Sequence, residues 1–432
     1  MARFIYTLAV LALLPWAMLH LLWRARRQPE YLRHWGERFG FFAAISPAPT
    51  IWLHAVSVGE TRAAQPLVAA LRERYPAHRI LFTHMTPTGR ATSEALFGDD
   101  VERIYLPYDT PWAMRRFLRH YRPAFGLIME TELWPNLIAA CRDARVPLCL
   151  VNARLSQRSA KRYASFPALT RGALQGLAAI GANSADDAAR LTALGARSVA
   201  VTGNIKFDIA APPEQLELAR ELRARCGRRP VWLAASTREG EEALILDAWQ
   251  RVGVCRPAQP SPRQTESDTA NAALLVIVPR HPQRFEEVAR LAMERGFSVQ
   301  RRSDNAALAA TTQILIGDSM GEMFAFYAAA DIAFIGGSLL DFGSQNLIEA
   351  AACGTPILIG PSTRNFAEAA REAVACGAAR TIVDAGDLVR QVLDLLADDA
   401  SRRAMGAEGR AFAERHRGAT ARTLELITAA VR

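Results

Sequence analysis

The stretch that decides the fold runs from Asp331 to Gly360, DIAFIGGSLLDFGSQNLIEAAACGTPILIG. It opens on a short apolar run, Asp331 to Ile335, of the kind buried in a parallel sheet. Gly336, Gly337 and Gly343 follow, and glycine lets a backbone turn tightly and come close to a ligand. Asn346 then opens a predicted helix with Glu349 one turn in, and Gly354 closes it ahead of Pro356 and a second apolar run. The order strand, glycine loop, helix, strand is a βαβ crossover. Free amides and a positive dipole end at such a helix start suit a phosphate, and a first-turn carboxylate can accept hydrogen bonds from ribose hydroxyls. Glycines alone would fit an ordinary crossover; Asn346, Glu349 and the proline-bearing strand beyond them favour a nucleotide-sugar site.

The same alternation extends outward. VWLAAS, LLVIVPR, QILIGD, PILIG and ARTIVD read as companion strands, and an earlier series comprises IWLHAVS, RILFTH, ERIYLP, AFGLIME, PLCLVNA, AAIGAN and SVAVTG. Amphipathic stretches such as ETRAAQPLVAALRERY lie between them, with apolar residues three and four apart. The pattern predicts an α/β fold of two doubly wound, Rossmann-like domains, with an inter-domain cleft as the default binding site. Length agrees, because 432 residues exceed one ordinary core and suggest two domains of roughly 150–200 residues. The expected limits are residues 28–207 for the first domain, 208–229 for a linker carrying a helix, 230–410 for the second domain and 411–432 for a C-terminal helix. Residues 254–272, rich in Pro, Ser, Gln and Thr, read as a mobile surface insertion.

Phe4 to Trp23 contains no Asp, Glu, Lys or Arg. Its twenty residues at ~1.5 Å each reach about 30 Å, enough to cross a hydrocarbon core. Arg24, Arg26 and Arg27 follow with no small-residue cleavage site, which argues against a removed signal peptide and keeps the following chain cytoplasmic. Residues 1–27 are therefore expected to be an uncleaved membrane anchor, with a peripheral amphipathic helix as the rival, that tethers the chain near lipid rather than building its site. Six cysteines without CxxC pairs argue for a reducing compartment and against structural zinc. The net charge of +9 comes with no nucleic-acid-binding module, so an anionic membrane and a phosphorylated acceptor are the expected partners.

Chemistry gathers at the strand ends. HAVSVGE places Ser57, Gly59 and Glu60 where a strand gives way to a helix. An acid there gains about 0.3–1 kcal/mol from the helix dipole, which would keep it ionised, so position alone leaves Glu60 between a structural acid and a general base. METELWPN carries Glu130, Glu132, Trp134 and Asn136; VNARLSQRS carries Asn152, Arg154, Ser156 and Arg158; GNIKFD carries Asn204 and Lys206. Acids and bases together at sheet edges suit an anionic sugar. In the second domain, AASTREGEE offers Ser236 and Thr237 as helix caps or phosphate contacts, VPRH offers Arg280, and GDSMGE offers Met320, Gly321 and Glu322. No GxxxxGK[ST] loop, HExxH helix or early GxGxxG appears, and no DxD-like acidic pair sits where a metal would hold a diphosphate, which favours a metal-independent transferase over a kinase or dehydrogenase.

Together these motifs resemble the 3-deoxy-D-manno-octulosonic acid (Kdo) transferases of lipopolysaccharide synthesis. The resemblance covers nearly the whole chain, through the N-terminal anchor, HAVSVGE, ETELWPN, NARLSQRS, GNIKFD, ASTREGEE, VPRH, the MGE step and GGS with NLIEAA. It implies a two-domain GT-B glycosyltransferase moving Kdo from CMP-Kdo to a tetra-acylated lipid A precursor, lipid IVA, at the cytoplasmic face of the inner membrane. No cofactor beyond the donor is implied. The resemblance puts the general base at Glu60 and transition-state support at Glu130 and Lys206. It puts CMP binding at Pro279 and Arg280, at Met320, Gly321 and Glu322, and at Asn346, Leu347, Ile348 and Glu349. Gln345 stands where some members have His, and Ser344 where they have Gly. The rivals are a UDP-sugar transferase or epimerase on the same fold, or a membrane-tethered nucleotide-binding module without activity.

Overall fold

In the first strand series every apolar run becomes a strand: β1 (Thr50–His54), β2 (Arg79–His84), β3 (Glu102–Tyr105), β4 (Pro123–Met129), β5 (Leu148–Ala153), β6 (Ala179–Ala182) and β7 (Val199–Val201). The computed structural model describes residues 1–26, 28–43, 48–208, 211–252 and 273–431. The 254–272 insertion expected from composition lies outside them. The strands pair in parallel in the order β3-β2-β1-β4-β5-β6-β7. All five residues of β1 are buried, as a strand covered by helices on both faces requires. Trp52, wholly buried, donates its indole N–H to the Thr83 hydroxyl at 2.9 Å, so a large ring enters the core without an orphaned donor.

The second series gives β8 (Val231–Thr237), β9 (Leu274–Pro279), β10 (Val299–Arg301), β11 (Ile314–Ile316), β12 (Ile332–Ile335), β13 (Ile357–Ile359) and β14 (Ala379–Thr381). Their order is β10-β11-β9-β8-β12-β13-β14, again parallel. In each sheet the chain winds one way and then the other, reversing between β1 and β4 and between β8 and β12. Crevices form outside the carboxyl ends of strands at such reversals. The edge strand β10 was not legible beforehand, since VQR is short, polar and only partly buried.

The chain divides into two units, Met1–Ile209 with His416–Arg432, and Ala210–Arg415. Three boundaries differ from expectation. The helix Pro213–Cys226, assigned to a linker, packs on the helix Met323–Ala329, and its Arg223 pairs with Asp331 at 3.0 Å. The last helix, Ala419–Ala430, belongs to the first unit, where it packs on the helix Gln65–Arg74 and buries Ala419, Thr423 and Ile427 completely. Helix α1 (Ala2–Ala25), the expected anchor, is not separate from the first unit either. Its Tyr6 hydroxyl donates to Asp109 Oδ2 at 2.9 Å and its Thr7 hydroxyl to Asn136 Oδ1 at 3.0 Å.

Candidate active site

At the carboxyl edge of the first sheet, β1 runs into the helix Val58–Ala63 through Ser57, its N-cap. Ser57 and Glu60 form a reciprocal cap: the Glu60 N–H donates to Ser57 Oγ at 3.2 Å, and the Ser57 hydroxyl donates to Glu60 Oε1 at 2.8 Å. The Val56 N–H donates to the other carboxylate oxygen at 2.8 Å, which fixes the side chain. Only 8% of Glu60 is exposed. Burial first and Glu130 second push its carboxyl up to about 7, against the bonds from Val56 and Ser57, and Glu132 adds further repulsion. The expectation that the helix start holds Glu60 fully ionised is thus corrected: desolvation outweighs the dipole. A carboxylate poised near neutrality is a better proton acceptor than an ordinary one.

Around it three sequence motifs meet. Glu130, just past β4, accepts from Lys206 Nζ at 3.1 Å. Lys206 is placed by its neighbours, because Asn152 at the end of β5 takes the Ile205 N–H on its side-chain oxygen at 3.0 Å. The Lys206 N–H goes to Asn204 Oδ1, also at 3.0 Å. Glu130 and Asn152 hold left-handed backbones, with φ of 58° and 53°. Such strain persists where surrounding structure over-determines it, commonly at a site. Burial also raises the Glu132 pKa. Ser156 caps the helix Gln157–Ala164, and Arg158 lies exposed on that helix. A concavity of about 770 Å³ lined by Arg72, Arg79, Asp100 and Glu102 lies at the opposite, amino end of β2 and β3, away from this chemistry.

In the second unit the organising stretch takes the predicted form with one adjustment. The helix starts at Ile348 rather than Asn346, and Asn346 accepts the Ile348 N–H at 3.0 Å. Its amide donates to Glu349 Oε1 at 3.0 Å, so Asn346 aims the first-turn carboxylate. Leu347 and Ile348 send their side chains into the core, 0% and 1% exposed. Gly336 passes so close to β8 that a Cβ would sit 2.5 Å from Ser236 O, and Gly337 has φ 70°. Arg280, past Pro279 at the end of β9, donates to Gln345 Oε1 at 3.1 Å, which gives the unusual glutamine a partner on this loop. Gly321 turns with φ 84°, Met320 is exposed, and Glu322 accepts from the Ser319 hydroxyl at 2.6 Å.

Two residues here escaped the sequence reading. Glu241, wholly buried, accepts N–H bonds from Arg238 at 2.8 Å, Gly337 at 2.7 Å and Leu339 at 3.0 Å, and so clamps the glycine loop onto β8. Beside it Glu242 accepts from the two terminal guanidinium nitrogens of Arg284, at 2.7 and 3.0 Å, and from the Thr237 hydroxyl at 2.6 Å. Thr237 therefore serves Glu242 rather than capping the helix Glu241–Arg251, whose cap position is Gly240. The only cue was the repeated acid in GEE, indistinguishable in sequence from a solvated helix start.

The family model for 3-deoxy-D-manno-octulosonic-acid transferase (kdotransferase) matches residues 33–209, and that for glycosyl transferases group 1 matches residues 293–412. The 3-deoxy-D-manno-octulosonic acid transferase of Bordetella pertussis is 44% identical over 437 residues, covering 99% of each chain. This chain belongs to the Kdo transferase family. The Haemophilus influenzae Kdo transferase is 37% identical, over 99% of this chain and 98% of its own. UDP-GlcNAc 2-epimerase from Neisseria meningitidis shares the fold at 14% identity, with a TM-score of 0.60 over 88% of this chain and 100% of that one. The Kdo transferase fold is thus the two-sheet GT-B type, and the chain is a glycosyltransferase.

Proposed function

We propose that this Kdo transferase moves Kdo from CMP-Kdo onto lipid IVA, by a single inverting displacement, at the cytoplasmic face of the inner membrane. The observation that carries the proposal is Glu60, buried, held by two donors and poised near pH 7. Glu60 takes the proton from an acceptor sugar hydroxyl as its oxygen attacks the anomeric carbon of Kdo. The bond from that carbon to the CMP phosphate breaks, and its electron pair leaves with CMP. Lys206, oriented by Glu130 and the Asn152–Ile205 bond, offers positive charge to the donor carboxylate or the departing phosphate. Arg280, Pro279, Met320, Gly321, Glu322 and the Asn346–Glu349 pair form the CMP side. A monophosphate leaving group carries little enough charge for cationic side chains and helix amides to stabilise it without a divalent ion.

The test is transfer by purified full-length protein in excess chelator, with CMP-Kdo and UDP-sugars offered separately and the lipid product weighed by mass spectrometry. The expected product is lipid IVA heavier by Kdo, from CMP-Kdo alone. Product from a UDP-sugar, or a requirement for magnesium or manganese, contradicts the reading.

A further inference from the structure

We propose that α1 does not cross the bilayer: both its ends stay on the side of the first unit, and its exposed flank lies in the facing lipid leaflet. This rests on the membrane reading above and adds the helix's disposition.

The beginning of α1 is fastened to the first unit. Tyr6 supplies a third donor to the Asp109 carboxylate, which already accepts the Asn136 and Leu137 N–H groups at 3.1 and 2.8 Å. Thr7 bonds the Asn136 side chain. Asp109 and Asn136 are each 3% exposed, so these are built-in contacts rather than surface encounters. Arg3, Phe4 and Thr7 also border a groove of about 310 Å³ against Pro111, Arg115 and Ala139.

The end of α1 returns to the same place. Leu21 and Ala25 pack on Tyr31, beside Trp35. Trp35 meets Phe39 at 5.8 Å between ring centroids, and Phe39 meets Tyr108, next to Asp109, at 5.6 Å. One loop, Tyr108–Asp109, thus holds the first turns directly and the last turn through three rings. A spanning helix would carry Tyr6 and Thr7 to the far membrane face, about 27 Å from Ala25. Tyr6 would then lose its bond to Asp109, Thr7 its bond to Asn136, and the buried Asp109 one of its three donors, which is costly away from water.

The occupant of the free flank is lipid. Phe4, Ile5, Leu8, Trp16, Leu19 and Trp23 are all exposed. Arg3 precedes this apolar flank, and Arg24 and Arg26 follow it, so one anionic leaflet satisfies both ends. A spanning arrangement would instead put Arg3 across the membrane, against the usual retention of positive charge.

The test is an epitope placed ahead of Met1 of the full-length chain, with protease added to intact spheroplasts and, separately, to inverted inner-membrane vesicles. The expected result is an epitope that survives in spheroplasts and is lost in inverted vesicles. Cleavage from spheroplasts, or protection in inverted vesicles, overturns the proposal. The readout does not depend on transfer activity, so a chain active on lipid IVA can still fail it. Recovery in the soluble fraction contradicts the membrane reading as well as this one.

Discussion

Glu60 is subject to opposed demands. Its helix start and two donors favour the anion, whereas burial and Glu130 favour the acid, and the balance falls near pH 7. If it is the base, kcat/KM should rise about tenfold per pH unit below 7 and level off above, since that parameter follows the free enzyme's groups. A profile flat from pH 5.5 to 8.5 would count against it. The same balance affects stability. Below about pH 4.5 the carboxyl is neutral folded or unfolded; between 4.5 and 7 ionisation increasingly favours the unfolded chain, and above 7 the cost is constant, up to about 3 kcal/mol. Glu60→Gln removes that cost, so its Tm minus that of wild type should grow more positive from pH 5 to pH 8 in thermal melts. Its place where a strand gives way to a helix was legible in HAVSVGE, but its protonation was not. Burial and the approach of Glu130, seventy residues along the chain, are products of packing that no local pattern records.

Among the elements, the glycine loop between β12 and the helix Ile348–Cys353 shows where reading stops. Its glycines, its helix and its closing Gly354, left-handed at φ 73°, were visible because each reflects a local backbone need. The clamp that sets the loop was not, because Glu241 sits almost a hundred residues earlier and looks like any helix-start acid. Glu241→Gln replaces one accepting oxygen by a donor facing a backbone N–H. An orphaned buried group costs about 1–3 kcal/mol, so CMP affinity should fall roughly tenfold or more. Calorimetric titration with CMP decides this, and an unchanged Kd would leave Glu241 with only a structural role. Likewise β10 was missed because a three-residue edge strand needs no apolar alternation, whereas strands buried on both faces announce themselves.

For the whole molecule, two sheets and their strand count were nearly complete in the hydrophobic pattern, but the path of the chain's ends was not. Both termini fold onto the first unit, through Tyr6 and Thr7 at one end and the Ala419–Ala430 helix at the other. The Gly418 N–H bonds Asp208 at 2.7 Å, and His416 stacks on Phe207 at 4.6 Å. Deleting residues 416–432 should therefore lower the melting temperature through exposure of the first unit's core, with a buried Ile427 alone contributing about 1.5–3 kcal/mol. An unchanged melt would contradict that assignment. The central claim, a Kdo transferase working through Glu60, is tested most directly by Glu60→Gln in the full-length protein, with Kdo transfer followed in a single turnover and CMP binding measured alongside. Transfer should fall at least about a hundredfold, as loss of a general base entails, while CMP binding stays at the wild-type level. A variant that transfers Kdo at more than about a tenth of the wild-type rate would place the base elsewhere, with Glu130 the next residue to examine.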